Sequence, residues 1–343
     1  MRTAAPIAAL LLAFGVAGLV IAILGKSPVA AFHVYVIGSL SDAWAIQELM
    51  VKAAPLIMIA IGLSYCFRAN LWNIGAEGQF VIGGLFGGWL AITFHGSDWT
   101  YVWPIMLLVG AVAGACYALI PAFLKVRFGA NEILTSLMLV NIGQLFLDYM
   151  VRGQLRDPRG MNFPQSVAFD PSATLPTIWG SDRVHLGFIF ALVAVVLTMI
   201  VGGRSIFGYR LRLTGDAPKA AQFAGFSSKT TTLLAFAISG SLAGLAGVCE
   251  VSGQIGQLQP TISPGYGFTA VTVAFLGRLH PVGIVLSGLV LALVMIGGEN
   301  AQIMLKLPLD LTTAFQGLLL LFVLSADAVV SYQFRFVMGG RRR

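Results

Sequence analysis

The stretch RANLWNIGAEGQF, Arg68–Phe80, carries the residue types that handle a small polar solute. Asn70, Asn73 and Gln79 offer amides, Glu77 a carboxylate and Trp72 a flat apolar ring. Such a set hydrogen-bonds to hydroxyls or base edges and stacks on a sugar face or a base. Asn70, Asn73 and Glu77 stand at i, i+3 and i+7, one face of a helix if the segment is helical. Arg68 and Glu77 are nine residues apart, so on one straight helix they point to opposite faces and cannot neutralise each other. A second polar set, Glu250, Gln254 and Gln257, comes just before Pro260, Pro264, Gly265 and Gly267 break the chain. Neither set is a catalytic constellation. No G-x-x-x-x-G-K-[ST] loop is present, and LGKS at Leu24–Ser27 lacks the upstream glycine. The four histidines are scattered, and no serine, histidine and acid share nucleophile-elbow spacing. The chain is therefore expected not to be an enzyme and to bind no cofactor or metal of its own. Cys66, Cys116 and Cys249 lie in apolar runs and read as packing residues.

The elements that position these residues follow from composition. Of 343 residues, 57% are hydrophobic and 10% charged. Soluble domains carry roughly 25% charge, so the chain is expected to be an all-α polytopic membrane protein. Ten apolar segments are legible, at about 5–25, 53–67, 80–95, 102–124, 131–151, 186–202, 231–250, 262–277, 281–300 and 312–332. The first could be taken for a signal peptide, but its length and the alternation of later segments favour a span. An even count puts both termini on one side, and the Arg341–Arg343 tail makes that side cytoplasmic. This assignment sets 14 of the 21 basic residues inside, Arg2 and Arg335 among them, and 7 outside. The net charge of +7 is thereby explained by orientation, and nucleic acid is not an expected partner. GGLFGG (Gly83–Gly88), GAVAG (Gly110–Gly114) and GSLAG (Gly240–Gly244) space small residues four apart and predict close helix packing.

Arg68–Phe80 then has two readings: a solvated loop, or a broken helix whose polar face lines a water-filled path. The flanking apolar runs are about 15 residues each, too short to span without it, and irregular backbone at membrane depth is tolerated only along such a path. The broken stretch after Glu250 is its counterpart. Two related halves are expected, about 53–151 and 231–332, with short or broken helices near the path. On this reading Asn70, Trp72, Asn73, Glu77, Gln79, Gln254 and Gln257 line the path. An outer loop at 152–185 presents Arg152, Arg156 and Arg159, either to acidic residues of a docking protein or to its own aspartates. Asn131 and Glu132 sit where they cap the following helix. In the inner loop, 203–230, Asp216 is placed to cap one short helix with Pro218 second, and Gly225 to stop it. Ala220, Ala221 and Ala224 would give that helix a nearly bare surface, and a helix so short needs a clasping partner.

That loop, GDAPKAAQFAGF (Gly215–Phe226), resembles the coupling loop of permease subunits of ATP-binding-cassette importers. The branch is the one for branched-chain amino acids, simple sugars and nucleosides. Its pattern, G-x-N-P-x-A-A-x-x-x-G-I, is matched apart from Ala217 and Phe226. FRANLWNIGAEGQF, GANEILTSLMLVNI (Gly129–Ile142) and PGYGFTAVTVAFLGRLHP (Pro264–Pro281) are similar to the nucleoside and simple-sugar permeases. The resemblance runs from about 50 to 330. It implies a multi-pass bacterial inner-membrane permease that carries a nucleoside or simple sugar inward. The implied partners are a cytoplasmic ABC ATPase, where ATP-Mg is bound, a second permease, identical or homologous, an extracytoplasmic solute-binding protein, and membrane lipid. It also implies that Gly215, Asp216, Pro218, Ala220, Ala221 and Gly225 couple to the ATPase. An alternative is an ion-coupled secondary transporter using Glu77, Asp148 or Glu299 as ion sites.

Overall fold

The computed structural model describes residues 4–178, 183–308 and 310–331, with side chains at 10–178, 183–308 and 310–326. The basic residues Arg2, Arg335 and Arg341–Arg343 lie outside these ranges. The chain is helical, with no strand among the described residues. In order the helices are α1 (Ala4–Ile23), α2 (Pro28–Phe32), α3 (Ala43–Arg68), α4 (Ala76–Thr93), α5 (Trp103–Phe128), α6 (Glu132–Arg152) and α7 (Gly187–Arg204). They continue as α8 (Ile206–Asp216), α9 (Pro218–Phe223), α10 (Ser228–Glu250), α11 (Tyr266–Leu276), α12 (Pro281–Leu305) and α13 (Asp310–Ser331). Each of the ten apolar segments falls on a helix of its own. Among the described residues, six helices are long and apolar enough to cross a bilayer: α3, α5, α6, α7, α10 with its continuation to Ile255, and α12.

The chain divides into two compact units, one of residues up to 39 with those from 297 on, the other of residues 40–296. In the first, α1 packs on α13, and the Tyr35 hydroxyl lies 2.9 Å from the Thr312 hydroxyl. Phe14 meets Phe315 with ring centroids 5.2 Å apart.

The second unit is built around α10, which packs on α3, α4 and α5. The three small-residue motifs meet here. A Cβ on Gly83 would run into the backbone of Gly244, and one on Gly110 would press on Val248 and the Gly83 carbonyl. One on Gly114 would strike the Gly240 carbonyl. Glycine at these positions lets three backbones touch, which is how helices gain packing energy where lipid supplies no hydrophobic drive. Outward, Leu108, Val112, Leu134, Met138, Val196 and Leu197 are exposed, an apolar surface of the kind that faces lipid.

α3 begins ten residues earlier than the apolar segment read from the sequence. Its first turns carry Gln47, Glu48 and Lys52, which masked the helix. Buried Glu48 is paired with Arg183 at 2.8 Å. α4 and α11 are short, 18 and 11 residues, or about 27 and 16 Å at 1.5 Å per residue. Both start inside the bundle and start together: a Cβ on Gly267 would lie 2.5 Å from the Glu77 Cα.

Candidate functional site

The polar interruption is buried structure and not a solvated loop. α3 ends at Arg68, residues 69–75 are irregular, and α4 begins at Ala76. Asn70, exposed and left-handed at φ 55°, turns the chain. The shared helix face expected of Asn70, Asn73 and Glu77 is therefore corrected: only Glu77 is helical, because the break falls between the other two and α4. Asn73 and Gln79 are buried and answer each other's amides. Asn73 Nδ2 donates to Gln79 Oε1 at 3.0 Å and to Ser239 Oγ at 3.0 Å; Gln79 Nε2 donates back to Asn73 Oδ1 at 2.9 Å. The Gly75 N–H donates to that same Oδ1 at 3.1 Å. This closed ring replaces the backbone hydrogen bonds that the break removes. Trp72 stacks on Phe275 at 5.6 Å and Phe67 on Phe275 at 4.8 Å, so both rings are engaged with protein.

Glu77 alone of the seven path residues lines a polar cleft of about 460 Å³. Its Oε2 accepts the Gly267 N–H at 2.6 Å, which places the carboxylate between the first turns of α4 and α11. One wall is α6, contributing Asn141, Gln144, Asp148 and Arg152. Thr261 and Ser263, from the broken stretch before α11, form the other. Arg152 Nε donates to both Asp148 oxygens, at 2.7 and 2.9 Å. From Asn141 to Arg152 the cleft climbs about 16 Å along α6, away from the end where Arg68 lies. Sequence reasoning missed the α6 wall. The signal was present, since 141, 144, 148 and 152 are i, i+3, i+7 and i+11, one polar stripe in an otherwise apolar run.

Gln254 and Gln257 do not extend the helical face of Glu250. α10 passes at Val251 into a π-helical turn to Ile255, which shifts the register, and Gln257 Nε2 donates to Gln165 Oε1 at 3.3 Å. The 152–178 segment is laid on this turn as an ordered cover. Ser166 and Leu258 exchange bonds of 2.9 and 2.8 Å, the Phe169 N–H donates to the Gly256 carbonyl at 2.8 Å, and the Leu175 N–H donates to the Ser252 carbonyl at 3.1 Å. His185 ends the cover, packed against Gly253. Its Nδ1 accepts the Gly187 N–H at 3.1 Å, while Nε2 is buried without a partner. Burial pushes its pKa down to about 4. Arg152, Arg156 and Arg159 are exposed, and Arg156 donates to Asn162 Oδ1 at 2.7 Å.

At the opposite end the 203–230 loop holds two helices where one was expected. Asp216 closes α8 and caps nothing; the cap position of α9 is Ala217, without a side-chain bond, and Pro218 is its first residue. Gly225, at φ 80°, stops α9 as expected. The bare surface is also corrected. Ala221 is buried, while Ala220 and Ala224 are exposed and Phe223 is 94% exposed. A six-residue helix gives too little periodicity to read its phase.

A helical bundle with a polar cleft, lipid-type outer faces and the short helix α9 exposed at the far end is the architecture of a polytopic membrane protein. Residues 45–324 match the family model described as branched-chain amino acid transport system / permease component, and the chain belongs to that family. It is an integral membrane protein. It is 35% identical over 96% of its length to the glucose ABC transporter permease protein of Haloferax volcanii, 88% of which is covered. It is 30% identical over 97% of its length to the guanosine ABC transporter permease protein of Bacillus subtilis, 95% of which is covered. With the nucleoside ABC transporter permease protein NupB of Lactococcus lactis it shares 27% identity over 86% of its length and 83% of that protein's. No solved structure matches the chain.

Proposed function

We propose that this chain is the membrane-spanning subunit of an ATP-binding-cassette importer that moves a nucleoside or simple sugar into the cell. All ten helices that carry the apolar segments span, in two related halves, with both termini cytoplasmic in the plasma membrane. The cleft then opens outward under an extracytoplasmic binding protein that touches Arg156 and Arg159, and α8–α9 face the cytoplasm. The observation that carries the reading is the pairing of these two features at opposite ends of one unit. The cleft offers amides, hydroxyls, the Glu77 carboxylate that accepts the Gly267 N–H, and one internally satisfied ion pair, acceptors and donors for a hydroxylated solute. Asn70, Trp72, Asn73, Gln79, Gln254 and Gln257 support the break and its counterpart around the path. A second permease and two cytoplasmic ATPases complete the assembly, with ATP-Mg held by the ATPases. Gly215, Asp216, Pro218, Ala220, Ala221 and Gly225 shape the α8–α9 surface that they grip, and exposed Phe223 is its apolar tip. An ion-coupled carrier would have to use Glu77 or Glu299, because the Asp148 carboxylate is engaged by Arg152.

The test is energetic. Uptake of labelled guanosine and glucose is measured in cells expressing the chain with its partners. Uptake should persist when a protonophore removes the ion gradients and stop when ATP is depleted. The reverse pattern would establish an ion-coupled carrier.

A further inference from the structure

We propose that α11 is the rod joining the cleft to the α8–α9 segment, with Arg68 as the positioning residue at its inner joint; the inference rests on the importer reading above. The outer joint is the 2.6 Å bond from the Gly267 N–H to Glu77, where α11 abuts the start of α4. The inner joint lies about 16 Å away, one length of α11. There Arg68 donates to the Leu279 carbonyl just past the end of α11. Arg278 and Leu279 are both left-handed, at φ 54° and 56°, conformations that non-glycine residues hold only when their surroundings fix them. The same guanidinium lies against α7, where a Cβ on Gly202 would be 2.5 Å from its Nη1, and Arg212 of α8 donates to the Gly202 carbonyl. A Cβ on Gly215 of α8 would collide with the Arg68 carbonyl. Arg68 thus gathers the ends of α3, α7 and α11 against α8. Two charged residues nine apart, each without a partner in its own segment, turn out to hold the two ends of one helix.

Tilting α8–α9 moves Arg68, Arg68 carries Leu279, and α11 carries Gly267 against Glu77. A packed helix held at both ends transmits such a shift as a unit. Lysine at 68 keeps the charge but lacks the planar guanidinium that donates to Leu279 while lying against Gly202.

The complete importer, reconstituted in liposomes with its ATPase and binding protein, is assayed for uptake and ATP hydrolysis. In R68K, hydrolysis should stay within about twofold of the unaltered complex while uptake falls at least about tenfold. G215A acts on the same joint from α8 and should give the same split, which keeps the test open if R68K fails to assemble. Joints this far apart ordinarily act independently. If α11 links them, R68K combined with G267A should lose no more uptake than the worse single variant. Unchanged uptake, equal loss of uptake and hydrolysis in an assembled complex, or multiplied losses in the double variant overturns the proposal. An unaltered complex that hydrolyses no ATP overturns the importer reading and the rod with it, so the two failures are distinguishable.

Discussion

Gly78 holds the wall of the cleft in place, and its replacement by alanine has a calculable effect. It lies in the first turns of α4, next to Glu77, where α4 crosses α6. A Cβ there would be 2.9 Å from the Val140 Cα, 3.2 Å from the Leu139 carbonyl oxygen and 3.3 Å from Tyr117 Cε1. Carbon pairs rest at roughly 3.5–4.0 Å, so α4 and α6 must part by about 0.6 Å or more, backbone against backbone. Overpacking of this kind costs about 1–3 kcal/mol. Alanine recovers about 0.5–1 kcal/mol from its better helix propensity. With backbone against backbone the clash outweighs that gain, leaving a net loss of up to about 2.5 kcal/mol. At about 2.1 cal/mol/K per residue, a chain of 343 residues loses about 1.4 °C per kcal/mol, so Tm should fall by up to about 3.5 °C. Thermal unfolding of the detergent-solubilised chain checks this, with Gly203→Ala as control. Gly203 is exposed on α7 with nothing within 4 Å of a built Cβ, so only the propensity gain applies and Tm should hold or rise. A Gly78→Ala protein as stable as the unaltered one would refute the packing argument.

Three further outcomes follow from the same contacts. His185 has a folded-state pKa near 4, below its ordinary 6.5, so below pH 6.5 the unfolded chain takes up a proton that the folded chain refuses. Stability should fall by up to about 3 kcal/mol between pH 6.5 and 4, and Tm measured at pH 7.5 and 5 should differ less in His185→Gln. Asn73→Ala strands the Gln79 amide and removes a partner of Ser239 in a buried site; it should lower stability by about 2–3 kcal/mol in the same thermal assay, and no loss would show the amide ring to be idle. Gln144→Leu removes an exposed cleft amide, so uptake should show a roughly five- to tenfold higher half-saturation concentration with Tm unchanged.

What the sequence disclosed and what it hid divide along range of interaction. The break at Arg68–Phe80 was legible from its cluster of polar residues and glycines. A run too short to span without them describes α4, with 18 residues, but not α3, whose 26 residues need nothing from the polar stretch. The three glycine motifs were legible as packing sites, although not as partners of one another. The early start of α3 was hidden because Glu48 reads as a polar end until Arg183, 135 positions along the chain, is placed beside it. The apolar stretch between α1 and α3, which folds as α2 with π- and 3₁₀-helical turns, belonged to none of the ten segments. Glu77 stood out by charge alone, whereas Asn141 and Gln144 were submerged in leucine and isoleucine despite their regular spacing. Asn73 and Gln79 looked like ligand amides, yet each is satisfied by the other, a pairing that only the fold of the break could bring about.

The importer reading stands most directly on whether an ATPase grips α9. The tagged chain is extracted from native membranes in mild detergent, and the eluate is assayed for ATP hydrolysis, alongside a Phe223→Glu variant. Phe223 is 94% exposed, so the substitution disturbs no packing inside the chain. The expected result is co-purifying hydrolysis with the unaltered chain and its loss from Phe223→Glu, both chains being equally monodisperse. An eluate without hydrolysis, or hydrolysis that survives Phe223→Glu in full, would contradict the account.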